Sequence, residues 1–312
     1  MQKRLLSMLV AALAVPFVLN AQAPQPDPKD PQYQAKGDQK RTYMFPGTDE
    51  SIPYHLYVPM KWNKNTKLPL VIVTHGASQP ADAPFQRGDG ALGKFAEERG
   101  YIVAAITGYK PQATVVDGGY NNPFKMVPAP RPPAPEGQRA GGGGGGRAGG
   151  GAGGGAGRAG GGGGRGPVTP ATKEDFERSE MDILYVTDLV AKEYNTDPNR
   201  TYLMGNSSGG GAVWYLAQKY PERWTAISPS AGPLTPEEFP YAKLKNIPVL
   251  AVHGDKDTTM SYDASKQMVD LAKKAGVDAT FIGVPDGTHT EAWTKVLPET
   301  FDFFDKNKTK KK

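Results

Sequence analysis

The chain of 312 residues contains no cysteine and only four histidines. Without cysteine there are no disulfide staples, no thiol nucleophile and no thiolate metal site, so stability has to come from an ordinary packed core. No His-x-x-x-His or Glu-rich histidine motif is present either, so the sequence offers no zinc-hydrolase ligand set and calls for no metal or cofactor. Long apolar runs are equally scarce. The one candidate is residues 5–19, which follow Lys3 and Arg4 and are short for a membrane span; small residues stand behind them at Ala21 and Ala23. That pattern predicts an export signal over residues 1–23, cleaved after Ala21 or Ala23, then a flexible segment at 24–40. The mature protein is expected to be secreted or periplasmic, with no transmembrane span left after cleavage.

The formal net charge is +5, but the excess is carried at the margins. Lys3 and Arg4 belong to the predicted signal, and Lys306, Lys308, Lys310, Lys311 and Lys312 crowd the C-terminus, with residues 307–312 read as a tail. Arg131, Arg139, Arg147, Arg158 and Arg165 punctuate a Pro/Gly-rich tract whose one acid is Glu136. Subtracting these leaves an acidic remainder, which argues against a nucleic-acid partner. The tract, residues 127–170, has almost no apolar side chain to offset the entropy of ordering glycine, and it is read as a disordered insertion. It is either a flap over the site or a tolerated surface expansion.

The most informative stretch is Gly205-Asn206-Ser207-Ser208-Gly209. It follows the apolar run Thr201-Tyr202-Leu203-Met204 and opens a helical segment that ends at Pro221. Strand, tight turn and helix are the setting in which a serine hydroxyl is held exposed as a nucleophile, with small residues on both sides because side chains there would collide. Such a serine needs an acid and then a histidine farther along the chain. The strand 248–253 runs into Gly254-Asp255-Lys256-Asp257, and Asp257 is the expected acid, with Asp255 and Asp286 as competitors. His289, in the loop after the strand 280–284, is the expected base. His55, in a strand read as edge-like, and His75 and His253, at strand ends before glycine, read as structural. Backbone N–H groups of Ser208 and of Ala77, which follows Gly76 at the end of strand 70–74, are the expected oxyanion donors. Trp293 is either a substrate-pocket residue or a core aromatic.

The remaining pattern alternates strands with helices: helices at 91–98, 180–194, 208–220 and 262–275, strands at 101–106 and 224–228, and a last helix from 290 divided at Pro298. This is an α/β class chain with one domain over residues 41–306 and a central, mostly parallel sheet flanked by helices.

Tyr54-His55-Leu56-Tyr57-Val58-Pro59, the run from Pro69 to Gly76, Asp197-Pro198-Asn199-Arg200 leading into the elbow, Ser228-Pro229-Ser230-Ala231-Gly232 and His253-Gly254-Asp255-Lys256-Asp257 together resemble the α/β-hydrolase superfamily. Within it they are similar to secreted esterases related to polyhydroxybutyrate depolymerase, feruloyl esterase and acetylxylan esterase, and also to peptidases of the prolyl oligopeptidase type. Ser208 departs from the methionine or alanine of many relatives. The resemblance implies the α/β-hydrolase fold, a Ser207–His289–Asp257 triad and an ester substrate, with polymer-linked and glycan-linked esters as candidates. A serine peptidase, an acyltransferase and an envelope-associated binding protein on a hydrolase scaffold remain as alternatives.

Overall fold

The computed structural model describes residues 23–77, 79–110, 123–130 and 171–309. Residues 1–22 of the expected signal, residues 131–170 of the glycine-rich tract and the last three lysines lie outside them.

Eight strands form one sheet: β1 (Gly37–Met44), β2 (Ser51–Val58), β3 (Leu70–Thr74), β4 (Ile102–Ile106), β5 (Thr201–Asn206), β6 (Ala226–Ser230), β7 (Val249–Gly254) and β8 (Ala279–Val284). Their order is β1-β2-β4-β3-β5-β6-β7-β8. β1 pairs antiparallel with β2 and β2 with β4, while every later pair is parallel. The helices are α1 (Ala83–Gln86), α2 (Ala91–Arg99), α3 (Lys173–Tyr194), α4 (Ser208–Lys219), α5 (Tyr262–Lys274), α6 (Ala292–Lys295) and α7 (Leu297–Lys306). This is the α/β-hydrolase fold.

The unbroken apolar runs Leu70–Thr74 and Ile102–Ile106 are buried along their whole length because helices cover both sheet faces. Alternation sorts their side chains. Leu70, Ile72 and Ala104 join Val186 and Val190 of α3 and Val213 and Leu216 of α4 in one core. Val71, Val73 and Val103 join Leu92 of α2 and Phe301 and Phe304 of α7 in the other.

Several boundaries differ from expectation, each for a local reason. β1 starts at Gly37, inside the segment expected to be flexible, because Gln39 and Arg41 are buried along it and Arg41 reaches Glu193 of α3. β2 is not an edge-like strand, since β1 covers its outer side. α3 begins at Lys173 rather than near 180, fixed by a capping box in which Thr172 Oγ1 accepts from Asp175 N–H and Asp175 accepts from Thr172 N–H. β6 lies two residues later than expected. Pro298 does separate the last two helices, in the first turn of α7 where its missing N–H is harmless.

The start of the presumed disordered insertion also needs correction. Val127 N–H donates to Pro233 O and Ala129 N–H to Thr259 O, both at 3.0 Å, while Ser261 N–H donates to Val127 O. With proline at 128 and 130, only alternate residues carry donors, and both of these find acceptors. Residues 127–130 are therefore tied to the loops after β6 and β7.

Two buried carboxylates hold the helix α3 side together. Glu193 receives Arg41 Nη1 at 3.0 Å and Nη2 at 3.2 Å, with both partners almost fully buried. Removing the Glu193 charge leaves the buried Arg41 guanidinium with the part-exposed Asp30 carboxylate, 3.2 Å from Nη2, as its remaining ionic partner among the described residues. Glu193→Gln is expected to cost about 3 kcal/mol of unfolding free energy, read from urea denaturation at neutral pH. Asp182, fully buried, accepts a short hydrogen bond from the Tyr43 hydroxyl. Burial pushes its carboxyl up to about 7, against the pull of that hydrogen bond toward the ionised form. A carboxyl that holds its proton more tightly in the folded state favours folding fully below about pH 4. That contribution is lost as pH rises toward the folded-state value. Asp182→Asn should therefore flatten the fall in urea midpoint between pH 4 and pH 7 relative to wild type, and it should gain most at pH 8.

Candidate active site

β5 and α4 are joined by a single residue, Ser207, at φ 61° and ψ −128°. This backbone angle is unfavourable for a side-chain-bearing residue and persists only where its surroundings over-determine it. Here the determinant is close approach. A Cβ on Gly205 would overlap Thr74 Oγ1 and stand 2.7 Å from Gly209 O, and one on Gly209 would overlap Thr74 O and stand 2.7 Å from His75 O. The turn is tied further by Ser207 N–H donating to Ser230 O at 2.9 Å and Gly211 N–H donating to Ser207 O at 3.0 Å.

The Ser207 hydroxyl lies 2.8 Å from His289 Nε2, and His289 Nδ1 lies 2.7 Å from Asp257 Oδ2. All three residues come from the carboxyl ends of parallel strands: Ser207 after β5, Asp257 after β7 and His289 after β8. Of the candidate acids, Asp257 is buried against the imidazole, whereas Asp255 and Asp286 are exposed. Asp257 Oδ1 accepts from the backbone N–H groups of Thr259 at 2.7 Å and Met260 at 3.0 Å. Burial works to raise the Asp257 carboxyl, but the close His253 ring nitrogen and the hydrogen bonds from His289 and the Met260 amide outweigh it. The group is held well below the usual carboxylate range.

The β3 loop closes on the elbow. The Cβ position of Gly76 is 3.4 Å from Ser207 Cβ, which puts Ala77 one residue beyond this contact. Ser208 is the first residue of α4, at the positive end of the helix dipole. Beside it a recess is lined by His75, Thr107, Gly108, Ser179, Ile183 and Ala212 among others.

The other expected residues fall as follows. Trp293 is 4% exposed and packs in the core with Val71, Phe85 and Phe301, so its place is that of a core aromatic rather than a pocket wall. His55 is buried, stacks on Phe85 at 4.2 Å and meets Asp38 at 2.5 Å. His75 has ring nitrogens 2.6 Å from the carbonyls of Gly76 and Thr107. His253, read as structural, is fully buried, with Nε2 2.9 Å from Asp257 Oδ2 and Nδ1 2.6 Å from Ser265 Oγ. The sequence signal for that contact is the i, i+4 spacing of His253 and Asp257 across a glycine turn. Nothing in the sequence pointed to Ser265 on α5. Among the described residues no set of three or more histidines and carboxylates is arranged to hold a metal ion, and no helix is long and apolar enough to cross a membrane.

Comparison with known proteins agrees with this geometry. A family model described as "Putative esterase" matches residues 183–312, the part that carries Ser207, Asp257 and His289. A bifunctional acetylxylan esterase/xylanase from Neocallimastix patriciarum is 32% identical over 78 residues, which is 25% of this chain and 11% of that protein. The chain therefore spans about a tenth of the length of that curated relative. A solved ferulic acid esterase superposes with a TM-score of 0.58 at 15% identity, over 86% of this chain and 97% of its own. The Pyrococcus horikoshii acylaminoacyl peptidase superposes with a TM-score of 0.56 at 13% identity, over 90% of this chain and 44% of its own. The sheet order and the strand–serine–helix turn are those of the α/β-hydrolase fold, and residues 183–312 are similar to the esterase family model.

Proposed function

We propose that the protein is an exported serine hydrolase of carboxylic esters that works through an acyl-enzyme. Its support is the unbroken line from Ser207 Oγ to His289 to Asp257, with steps of 2.8 and 2.7 Å. Ser207 Oγ attacks the ester carbonyl carbon while His289 Nε2 takes its proton. Asp257, kept ionised, accepts from His289 Nδ1–H, so the other nitrogen is free to act as base. The N–H groups of Ala77 and Ser208 receive the negative charge that develops on the carbonyl oxygen. As the tetrahedral adduct collapses, the C–O bond to the alcohol breaks and His289 delivers the proton to the departing oxygen. Water then attacks the acyl-serine by the reverse use of the same groups. It releases the carboxylic acid and returns the proton to Ser207.

Export rests on the apolar stretch at 5–19 and the small residues at Ala21 and Ala23. The names of the relatives, an acetylxylan esterase and a ferulic acid esterase, favour glycan-linked esters as the substrates to try first.

The reading is tested with 4-nitrophenyl acetate, wild type against Ser207→Ala, with folding compared by circular dichroism. Ser207→Ala is expected to lose at least about 10⁴-fold in kcat with an unchanged spectrum. Asp257→Asn, which lets His289 take the wrong tautomer, should lose about 10³- to 10⁴-fold. A Ser207→Ala protein that kept most of the wild-type turnover would overturn the proposal, and wild-type cleavage of the matching anilide at a rate similar to the ester would replace it with a peptidase.

A further inference from the structure

His253 sits one residue before the end of β7 with no exposed surface. Both its ring nitrogens meet polar atoms, Nδ1 the Ser265 hydroxyl at 2.6 Å and Nε2 the Asp257 carboxylate at 2.9 Å. A neutral imidazole carries one donor and one acceptor. Ser265 O–H donating to Nδ1 makes Nε2 the donor, and Nε2 faces a carboxylate oxygen that can only accept. The opposite tautomer would set a nitrogen lone pair against the Asp257 charge. Asp257 Oδ2 is the atom that also receives His289 Nδ1–H, so two imidazoles share one oxygen from opposite ends of the line. Of the two, only the His289 contact has hydrogen-bond geometry; His253 Nε2 stands 2.9 Å from Oδ2 without it, and its pull on the carboxylate is the weaker.

We propose that Ser265 and His253 are positioning residues for the reaction, extending the array to Ser265–His253–Asp257–His289–Ser207 and fixing the orientation and basicity of the Asp257 carboxylate. The inference rests on the serine-esterase reading above. Hydrogen bonding to the ionised form makes a carboxylate less basic. A less basic Asp257 holds the His289 imidazolium less tightly. Removing the His253 donor should therefore raise the pH at which His289 loses its proton. Asp255, Lys256, Asp263, Asp286 and Glu291 are the charged groups on the stretches of chain that carry these residues and the start of α5. All are exposed, so water screens them. The Tyr262 ring also stands near, 5.8 Å from that of His253.

The test compares wild type with His253→Gln, His253→Leu and Ser265→Ala by two readouts. One is the pH profile of kcat and KM on 4-nitrophenyl acetate. The other is the NMR titration of the His289 Cε1–H resonance, assigned with His289→Gln. A glutamine side-chain N–H can replace Nε2–H, so His253→Gln should stay within about threefold of wild-type kcat. His253→Leu should lose about tenfold or more in kcat at similar KM, and its acid limb and His289 titration should both move up by roughly half a pH unit or more. Ser265→Ala should fall between them. A folded His253→Leu with wild-type kcat and His289 titration would overturn the proposal, as would a His253→Gln as impaired as the leucine variant. If the leucine variant does not fold, an unchanged Ser265→Ala profile and titration would do the same. If wild type turns over no ester, the esterase reading fails, and the NMR titration still decides whether His253 tunes His289.

Discussion

The close approach of β3 and β5 is the constraint on which the site depends. Thr74 and Gly205 are register partners in this parallel pair, and the Thr74 hydroxyl lies 2.9 Å from Gly209 O and 3.2 Å from Met204 O. The strand end and the first turn of α4 are thereby drawn onto the same residue. With no room for a side chain at Gly205 or Gly209, the chain between them turns through Ser207 at positive φ. The same contact brings the loop after β3 against the serine, so the proposed nucleophile and the proposed oxyanion loop are placed by one packing event rather than two.

The carboxylate side is arranged differently, by a loop braced from several directions. Asp255 N–H donates to Val284 O and Lys256 N–H to Gly287 O, which bind the turn after β7 to the loop that carries His289. Residues 127 and 129 bind the far side of the turn through Ser261 and Thr259. Thr259 and Met260 then donate their amides to Asp257. An ionised group can be buried here because three hydrogen-bond donors, Thr259 N–H, Met260 N–H and His289 Nδ1, converge on its two oxygens, with the His253 ring nitrogen a further 2.9 Å contact. Disturbing any brace would loosen the carboxylate before it disturbed the sheet.

Buried charge recurs elsewhere in the molecule. Glu193 is matched by Arg41, and Glu180 on the same helix takes Tyr215, Tyr220 and Lys219. Asp182 has a hydroxyl donor from Tyr43 but no cationic partner within salt-bridge reach among the described residues, and it is the carboxyl that burial pushes upward. Asp257 and Asp182 are both buried aspartates. Their opposite shifts follow from the number and charge-preference of their donors, not from depth alone.

The local chemistry was legible along the chain. Glycines two residues either side of Ser207, a β-leaning run before it and a helical run after it identify the elbow. Apolar runs ending in Asp257 and His289 place the other two groups at strand ends, because strand and helix periodicity are properties of short segments. Capping by Thr172 was equally local, yet it went unread because the signal lies beside the glycine-rich tract. What the chain alone could not show is which of these groups meet. The contact of Asp257, rather than Asp255 or Asp286, with His289, the packing of Trp293 in the core, the burial of Arg41 in an early strand and the meeting of His253 with Ser265 depend on which side chains face each other across the sheet. Those meetings join residues from different strands and helices, and spacing along the sequence does not encode which face of a distant helix arrives opposite a given strand end.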